Sequence, residues 1–264
     1  MNRLNFRMAA ALLAVGVLTL SVTVSTEVRA QTPVVDPAAT QILKRMTDYL
    51  GGLKKFSVHT QNTIEDVLDS GQRVDLEVSA SVVLSRPNKL RAERKGDLID
   101  QIFYYNGKTL TLYNPSNKVY ATEPAPGTIE GMLDFARESL GLVIPASDLV
   151  YPNAFPLLMQ DVTLAVVVDK TFIGGVKCDH LLFSRPGVDF QVWVADSGRP
   201  LPRKYVVTDT GSPPMLSNTT VMSDWNVDPA AADARFTFVP PKGTKAITFM
   251  PLTVQTPTPK GESK

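Results

Sequence analysis

Cysteine is nearly absent from this chain. Cys178 stands alone, so no intramolecular disulfide can staple the fold and stability must come from a hydrophobic core. A solitary cysteine in a strand-rich stretch is read as a small buried hydrophobe. Histidine is almost as scarce: His59 and His180 fall in separate candidate strands, and neither has partners at the spacings a zinc site uses. In Cys178-Asp179-His180, strand alternation puts Cys178 and His180 on one face and Asp179 on the other, a poor ligand set. No metal and no cofactor are expected. A G-x-S-x-G elbow, an H-E-x-x-H helix, a phosphate-binding glycine loop and a dinucleotide fingerprint are all missing. Asp97, Asp100 and Asp189 read as turn or outward-facing groups, so no acid–base pair is legible and the chain is not expected to be an enzyme.

An excess of either charge is missing too. Lys and Arg number 27 against 26 Asp and Glu, which argues against a nucleic-acid partner and against an electrostatic membrane anchor. Long apolar runs are confined to the first residues. Arg3 and Arg7 precede an apolar run over 8–24, and Val28-Arg29-Ala30 offers a small-residue cleavage site, so 1–30 reads as a cleavable secretory signal. No cysteine follows that run to accept a lipid, and no later run is long enough to span a membrane. The expected mature protein is soluble and periplasmic, with no transmembrane anchor after signal cleavage.

What is present is strand pattern. After Asp36-Pro37, an N-cap followed by a first-turn proline, Ile42, Leu43, Met46, Tyr49, Leu50 and Leu53 recur at helical spacing until Gly51-Gly52. From Phe56 to Thr122 the period becomes two, clearest where Leu76, Val78, Ala80, Val82 and Leu84 alternate with Asp75, Glu77, Ser79, Ser81 and Val83. Turn signals at 69–71, 86–88, 96–97, 106–107 and 114–117 divide this stretch into six strands joined too tightly for parallel crossovers. A helical, apolar insert follows over 128–160, broken into short pieces by Pro145, Pro152 and Pro156. Strands resume at Val162 and are expected at 162–173, 176–183, 189–195, 201–210, 215–225 and, briefly, 236–239. Residues 251–264, rich in Pro, Thr and Lys, read as a disordered tail. The order predicts a mainly β (α+β) domain over 31–250. Its expected form is a single curved antiparallel sheet, or unclosed β-barrel, of about eleven strands. An N-terminal helix and the central insert would cover its concave face.

The run Phe172-Ile173-Gly174-Gly175-Val176-Lys177-Cys178-Asp179-His180-Leu181-Leu182-Phe183 resembles the DUF2092 family of predicted periplasmic proteins. So do Asp189-Phe190-Gln191-Val192-Trp193, Pro200-Leu201-Pro202-Arg203-Lys204 and Phe236-Thr237-Phe238-Val239-Pro240-Pro241-Lys242-Gly243. That family is similar to the lipoprotein-carrier superfamily, whose members LolA and LolB hold acyl chains between an unclosed β-barrel and a helical lid, and which includes the sensor RseB. The resemblance implies the same fold and a lipid or lipoprotein ligand. Its RseB-like branch implies instead an envelope protein partner. No catalytic residue carries over.

The insert supplies the expected ligand-cavity residues Met132, Leu133, Phe135, Leu140, Leu157, Leu158 and Met159. Trp193 is expected to join them from a strand, and Arg203, a cation at a strand start, is the candidate polar contact. Methionines suit such a surface because an unbranched thioether adapts to variable shapes. Gly127, Gly131 and Gly141 are candidate hinges for ligand release. The competing expectation is that the insert fills the concavity with its own side chains, since cores and pockets use the same residue types.

Overall fold

The computed structural model describes residues 34–97, 99–142 and 144–249; the expected signal segment and tail lie outside the described residues. A two-residue strand, β1 (Val34–Val35), leads into helix α1 (Pro37–Gly52). The Asp36 carboxylate accepts from the Ala38 N–H at 2.8 Å, and Pro37 occupies a first-turn position that needs no N–H. The α1 stripe of Leu43, Met46 and Leu50 is fully buried. At the end of the helix Gly51 is required by a close approach, because a Cβ there would stand 2.2 Å from the Pro152 carbonyl oxygen.

Six strands follow: β2 (Lys55–Val67), β3 (Arg73–Ser85), β4 (Lys89–Gly96), β5 (Asp100–Tyr105), β6 (Thr109–Asn114) and β7 (Val119–Pro124). Each pairs antiparallel with the next. The turn chemistry is the one the sequence advertises. Asn106 Oδ1 accepts from the N–H groups of Lys108 and Thr109, and Gly107 takes φ +88°. The insert comprises α2 (Ile129–Glu138), a 3-10 turn (Ser147–Val150) and α3 (Ala154–Met159). Thr128 caps α2 by accepting from the Gly131 N–H. A second meander then runs through β8 (Leu164–Ile173), β9 (Val176–Arg185), β10 (Val188–Ala195), β11 (Pro202–Asp209) and β12 (Ser217–Asn226).

The two meanders join because β12 pairs antiparallel with β2, giving a single sheet in which β8 to β12 continue into β2 to β7. This places β7 and β8 at opposite ends of the eleven-strand ladder. The insert that connects them must therefore cross a face of the sheet, and the burial of its apolar residues in the main core shows that it takes the concave one.

Two short strands lie outside the expected set. β1 pairs in parallel with β8, and β13 (Lys245–Ala246) pairs in parallel with β7, for 13 strands among the described residues. The strand expected at 236–239 is not formed. Residues Asp233–Phe236 make a 3-10 turn, and Phe238 packs among the rings of Tyr104, Tyr113 and Tyr120 on the outer side of β5 to β7. The reason is topological: β12 already has β11 and β2 as neighbours, so the chain finds a free strand edge only on reaching β7.

One large core fills the concavity. It brings α1 and the insert against Phe56 of β2, Leu84 of β3, Phe183 of β9, Phe190 of β10 and Tyr205 of β11. A separate small cluster of Cys178, Trp193 and Val206 lies on the other face.

Candidate ligand cavity

Two spaces adjoin the insert, and the inner one lies between it and the sheet. The inner one, about 80 Å³, has a floor of Val82 from β3, Leu90, Ala92 and Arg94 from β4, Phe103 from β5 and Leu110 from β6. Its roof is Met132, Leu133, Ile144, Pro145, Ser147 and Val150. The outer one, about 250 Å³, is lined by Leu133, Arg137, Gly141, Leu142, Ile144, Ser147 and Asp148. Leu133, Ile144 and Ser147 belong to both linings and form the common wall. Two backbone positions shape that wall. Gly141 has φ +65° and Ala146 φ +57°, left-handed conformations that turn the chain sharply and, at alanine, store strain of about 1–2 kcal/mol.

The insert is fastened at defined points on either side of this wall. The Tyr105 hydroxyl donates to the carbonyl oxygens of Pro126 and Thr128, holding the start of α2. Burial and the nearby Glu130 carboxylate push the Tyr105 phenol up to about 12. The Arg86 guanidinium donates to the Val150 carbonyl at 2.7 Å and the Leu53 carbonyl at 3.2 Å, and approaches Glu130 at 3.6 Å. It thus ties the end of α1, the 3-10 turn and α2 to one another. Burial depresses the Arg86 pKa, and Glu130 opposes that. Tyr151 donates to Asp134 at 2.6 Å and Asp134 also pairs with Arg137 at 2.7 Å. Burial, followed by the Asp134 carboxylate, pushes the Tyr151 phenol up to about 12.

Of the expected cavity residues, Met132 and Leu133 line the inner space. Leu158 is buried in the main core and Leu140 and Met159 pack against it, while Phe135 is half-buried. These four line neither space. Leu157 is 39% exposed and points away from the core.

Trp193 is a clear correction. Phe190, Val192 and Val194 take the inward positions of β10, so Trp193 faces outward, stacked on His180 at 4.0 Å with the Lys204 ammonium 4.7 Å from its ring centre. Arg203 also sits away from the insert. Lys204 pairs with Trp193 and Pro202 with Val194, which leaves Arg203 as the extra residue of a β-bulge. Burial pushes the Cys178 thiol up, and the positive charge of Arg203 acts against it, placing Arg203 beside the outer cluster. Of the expected hinges, Gly141 alone lines a cavity.

Sequence reasoning expected the inward strand faces to contribute but named none of the floor residues. Their signal was readable: in Leu90-Arg91-Ala92-Glu93-Arg94 the inward phase carries a small residue and then an arginine where a large apolar residue would be expected.

A larger cleft of about 400 Å³ lies between α1 and the β10–β11 turn, with Arg45, Asp48, Asp179 and Asp196 in its wall. Its carboxylates are engaged. Lys170 reaches Asp179 at 2.8 Å and Asp196 at 2.7 Å, and Lys44 reaches Asp48 at 2.6 Å. That chemistry does not suit an apolar chain. Among the described residues no group of three or more His, Cys, Asp or Glu side chains could hold a metal ion, and no helix is long and apolar enough to cross a membrane.

An open antiparallel sheet whose concavity is filled by helices, with an apolar space left under one of them, defines the class. Residues 39–250 match the family described as predicted periplasmic protein (DUF2092), and the chain belongs to that family. No curated protein matches the sequence. Among solved structures, the chain is similar to LprF from Mycobacterium bovis, at 15% identity over 75% of this chain and 97% of that one with a TM-score of 0.48. It is similar to the lipoprotein LppX from Mycobacterium tuberculosis, at 16% identity over 73% and 100% with a TM-score of 0.42. A LolA superfamily protein from Nitrosomonas europaea is 12% identical over 76% and 97%, with a TM-score of 0.38. Likenesses at this level carry no argument about ligand or activity.

Proposed function

We propose that the protein is a non-catalytic periplasmic binding protein whose inner and outer spaces together receive the apolar part of a hydrophobic or amphiphilic ligand: a lipid, an acyl chain or the acylated end of a lipoprotein. The observation that carries this reading is the apolar space between the floor of β3 to β6 and the roof of the insert. Each methylene removed from water contributes about 0.8 kcal/mol, so a chain that runs from the outer space into the inner one gains several kcal/mol before ordering costs are subtracted. Uptake requires Leu133, Ile144 and Ser147 to part, and Gly141 and Ala146 provide the bends around which that wall swings.

The test is native mass spectrometry of the exported protein purified from periplasm without detergent, with extraction and identification of bound molecules. The expected result is a stoichiometric amphiphile, retained or taken up on addition. Protein that carries none and ignores added lipids contradicts the reading. A second reading, an envelope module acting through a protein partner, is favoured by the β1/β8 edge, where Val34, Val35, Val168 and Phe172 are all exposed. It predicts a stable protein complex in pull-downs from periplasm and an empty cavity.

A further inference from the structure

Two ionised side chains line the outer space, Arg137 from α2 and Asp148 from the 3-10 turn. They differ in how far they are matched. The Arg137 guanidinium meets the Asp134 carboxylate at 2.7 Å and the Glu138 carboxylate at 3.5 Å. Asp148 is half-buried and forms no ion pair among the described residues. Its side chain has one hydrogen-bond partner among them, the Tyr205 hydroxyl of β11, which donates to Oδ2 at 3.5 Å, the far limit of such a contact. Burial and then the Asp148 charge push the Tyr205 phenol up, with Arg185 acting against them. Arg185 itself is turned to the Leu157 carbonyl, to which Nη1 donates at 3.4 Å. Beside Asp148, the Ser147 hydroxyl makes no hydrogen bond among the described residues.

The unmatched chemistry of the outer space is therefore that of an acceptor with negative charge. A carboxylate accepts and cannot donate, so the group that completes it carries N–H or O–H, and a cation adds Coulomb attraction where water is partly excluded. An anionic head would meet Asp148 and the two carboxylates that already flank Arg137. A quaternary ammonium has no N–H to donate and is recognised by aromatic cages, and the outer lining contains no aromatic ring. The inner space makes no such demand. Its lining is largely apolar, and Arg94 in its floor is held by Gln101 Oε1 at 2.7 Å and by the Phe103 ring.

Resting on the cavity reading above, we propose that the ligand is an amphiphile with a primary ammonium head. The head sits in the outer space against Asp148 and Ser147, and the chain passes the Leu133–Ile144–Ser147 wall into the inner space. About 250 Å³ holds about eight groups of the ~30 Å³ size of a water molecule, enough for the ammonium and the carbons next to it. The ammonium donates to the Asp148 carboxylate and to the Ser147 hydroxyl oxygen, which leaves Tyr205 free to keep its own contact with Asp148.

The experiment is a calorimetric titration of the delipidated, exported protein with four probes of equal chain length, each below its micellar or solubility limit: dodecylammonium, dodecyltrimethylammonium, dodecanol and dodecanoate. Dodecylammonium is expected to bind about tenfold tighter than dodecanol, the gain of a charge-assisted hydrogen bond in a partly enclosed site, with dodecanoate weakest. Asp148→Asn, which keeps the shape and an acceptor for Tyr205, should bring dodecylammonium to the level of dodecanol while dodecanol binds as before. Asp148→Glu should keep part of the preference. Equal affinity for dodecylammonium and dodecanol in the wild-type protein, or tighter binding of dodecanoate, overturns the ammonium head and leaves the apolar cavity standing. So does an Asp148→Asn variant that retains the full preference, and dodecyltrimethylammonium binding as tightly as dodecylammonium overturns the primary amine. If the wild-type protein binds none of the four, the cavity reading falls with it.

Discussion

The two helical covers of the concave face are built to different standards. The inner stripe of α1 is closely packed: Leu43, Met46 and Leu50 are fully buried, Phe183 and Phe190 stack at 4.8 Å on the strands of that half of the core, and the cleft beside the helix has charged side chains in its wall. Under the insert a space remains. The difference follows from the sequence. A helix of 16 residues presents an unbroken stripe that interdigitates with the sheet, whereas Pro145 and Pro152 fall between pieces of 10, 4 and 6 residues, with Pro156 in the first turn of the last, and these do not present one continuous ridge. The first cover packs as core, and the second leaves an apolar space.

The largest effects should come from matched truncations in the two regions. Met46→Ala in α1 is expected to destabilise by about 3–5 kcal/mol in urea unfolding, and Met132→Ala in the insert by about 2. Both side chains are buried, but Met132 already faces open space and gives up fewer contacts. Equal losses would mean that the insert is packed as tightly as α1.

Arg86→Met removes the tie among α1, the 3-10 turn and α2, leaving two carbonyls and Glu130 without their partner. A loss of about 2–4 kcal/mol is expected, with faster amide exchange concentrated in 126–160 rather than in β2 and β3. Gly51→Ala drives a Cβ against the Pro152 carbonyl and should destabilise by about 1–3 kcal/mol; a thermal melt indistinguishable from wild type would show that 151–153 yields easily.

The alkaline limb of the stability curve gives a smaller signal. The Tyr105 and Tyr151 phenols are held up to about 12 in the folded protein, against ~10 in an unfolded chain. The folded state therefore keeps protons that the unfolded state has lost. That contribution is complete below pH ~10 and declines as pH rises toward 12. Tyr105→Phe should flatten the decline in denaturant titrations between these pH values; an unchanged slope would contradict the assignment.

Much of the fold was legible because its signals are local. The six strands of the first meander, the N-cap of α1 and the breaks in the insert each rest on residues a few positions apart. The pairing of β12 with β2 has no local signature, so the insert's course from one sheet edge to the other could not be read, nor could the absence of a strand at 236–239. The site was less legible. Helical spacing pointed to Met132 and Leu133, which line the inner space, while the floor from β3 to β6 was expected only as inward strand faces without named residues. Trp193 and Arg203 were misplaced because their side of the sheet depends on strand parity and on a one-residue bulge, and such a slip reverses which face a side chain takes.

The central claim is that the space beneath the insert exists to be occupied by a guest, and filling it from the sheet side tests this most directly. Ala92→Leu directs three added carbons into a space of about 80 Å³. The account predicts a variant that melts at or above the wild-type temperature, as cavity-filling substitutions do, and that neither carries an amphiphile in native mass spectra nor binds dodecanoate or dodecanol by calorimetry. A folded Ala92→Leu protein that takes up these ligands as the wild type does would contradict it.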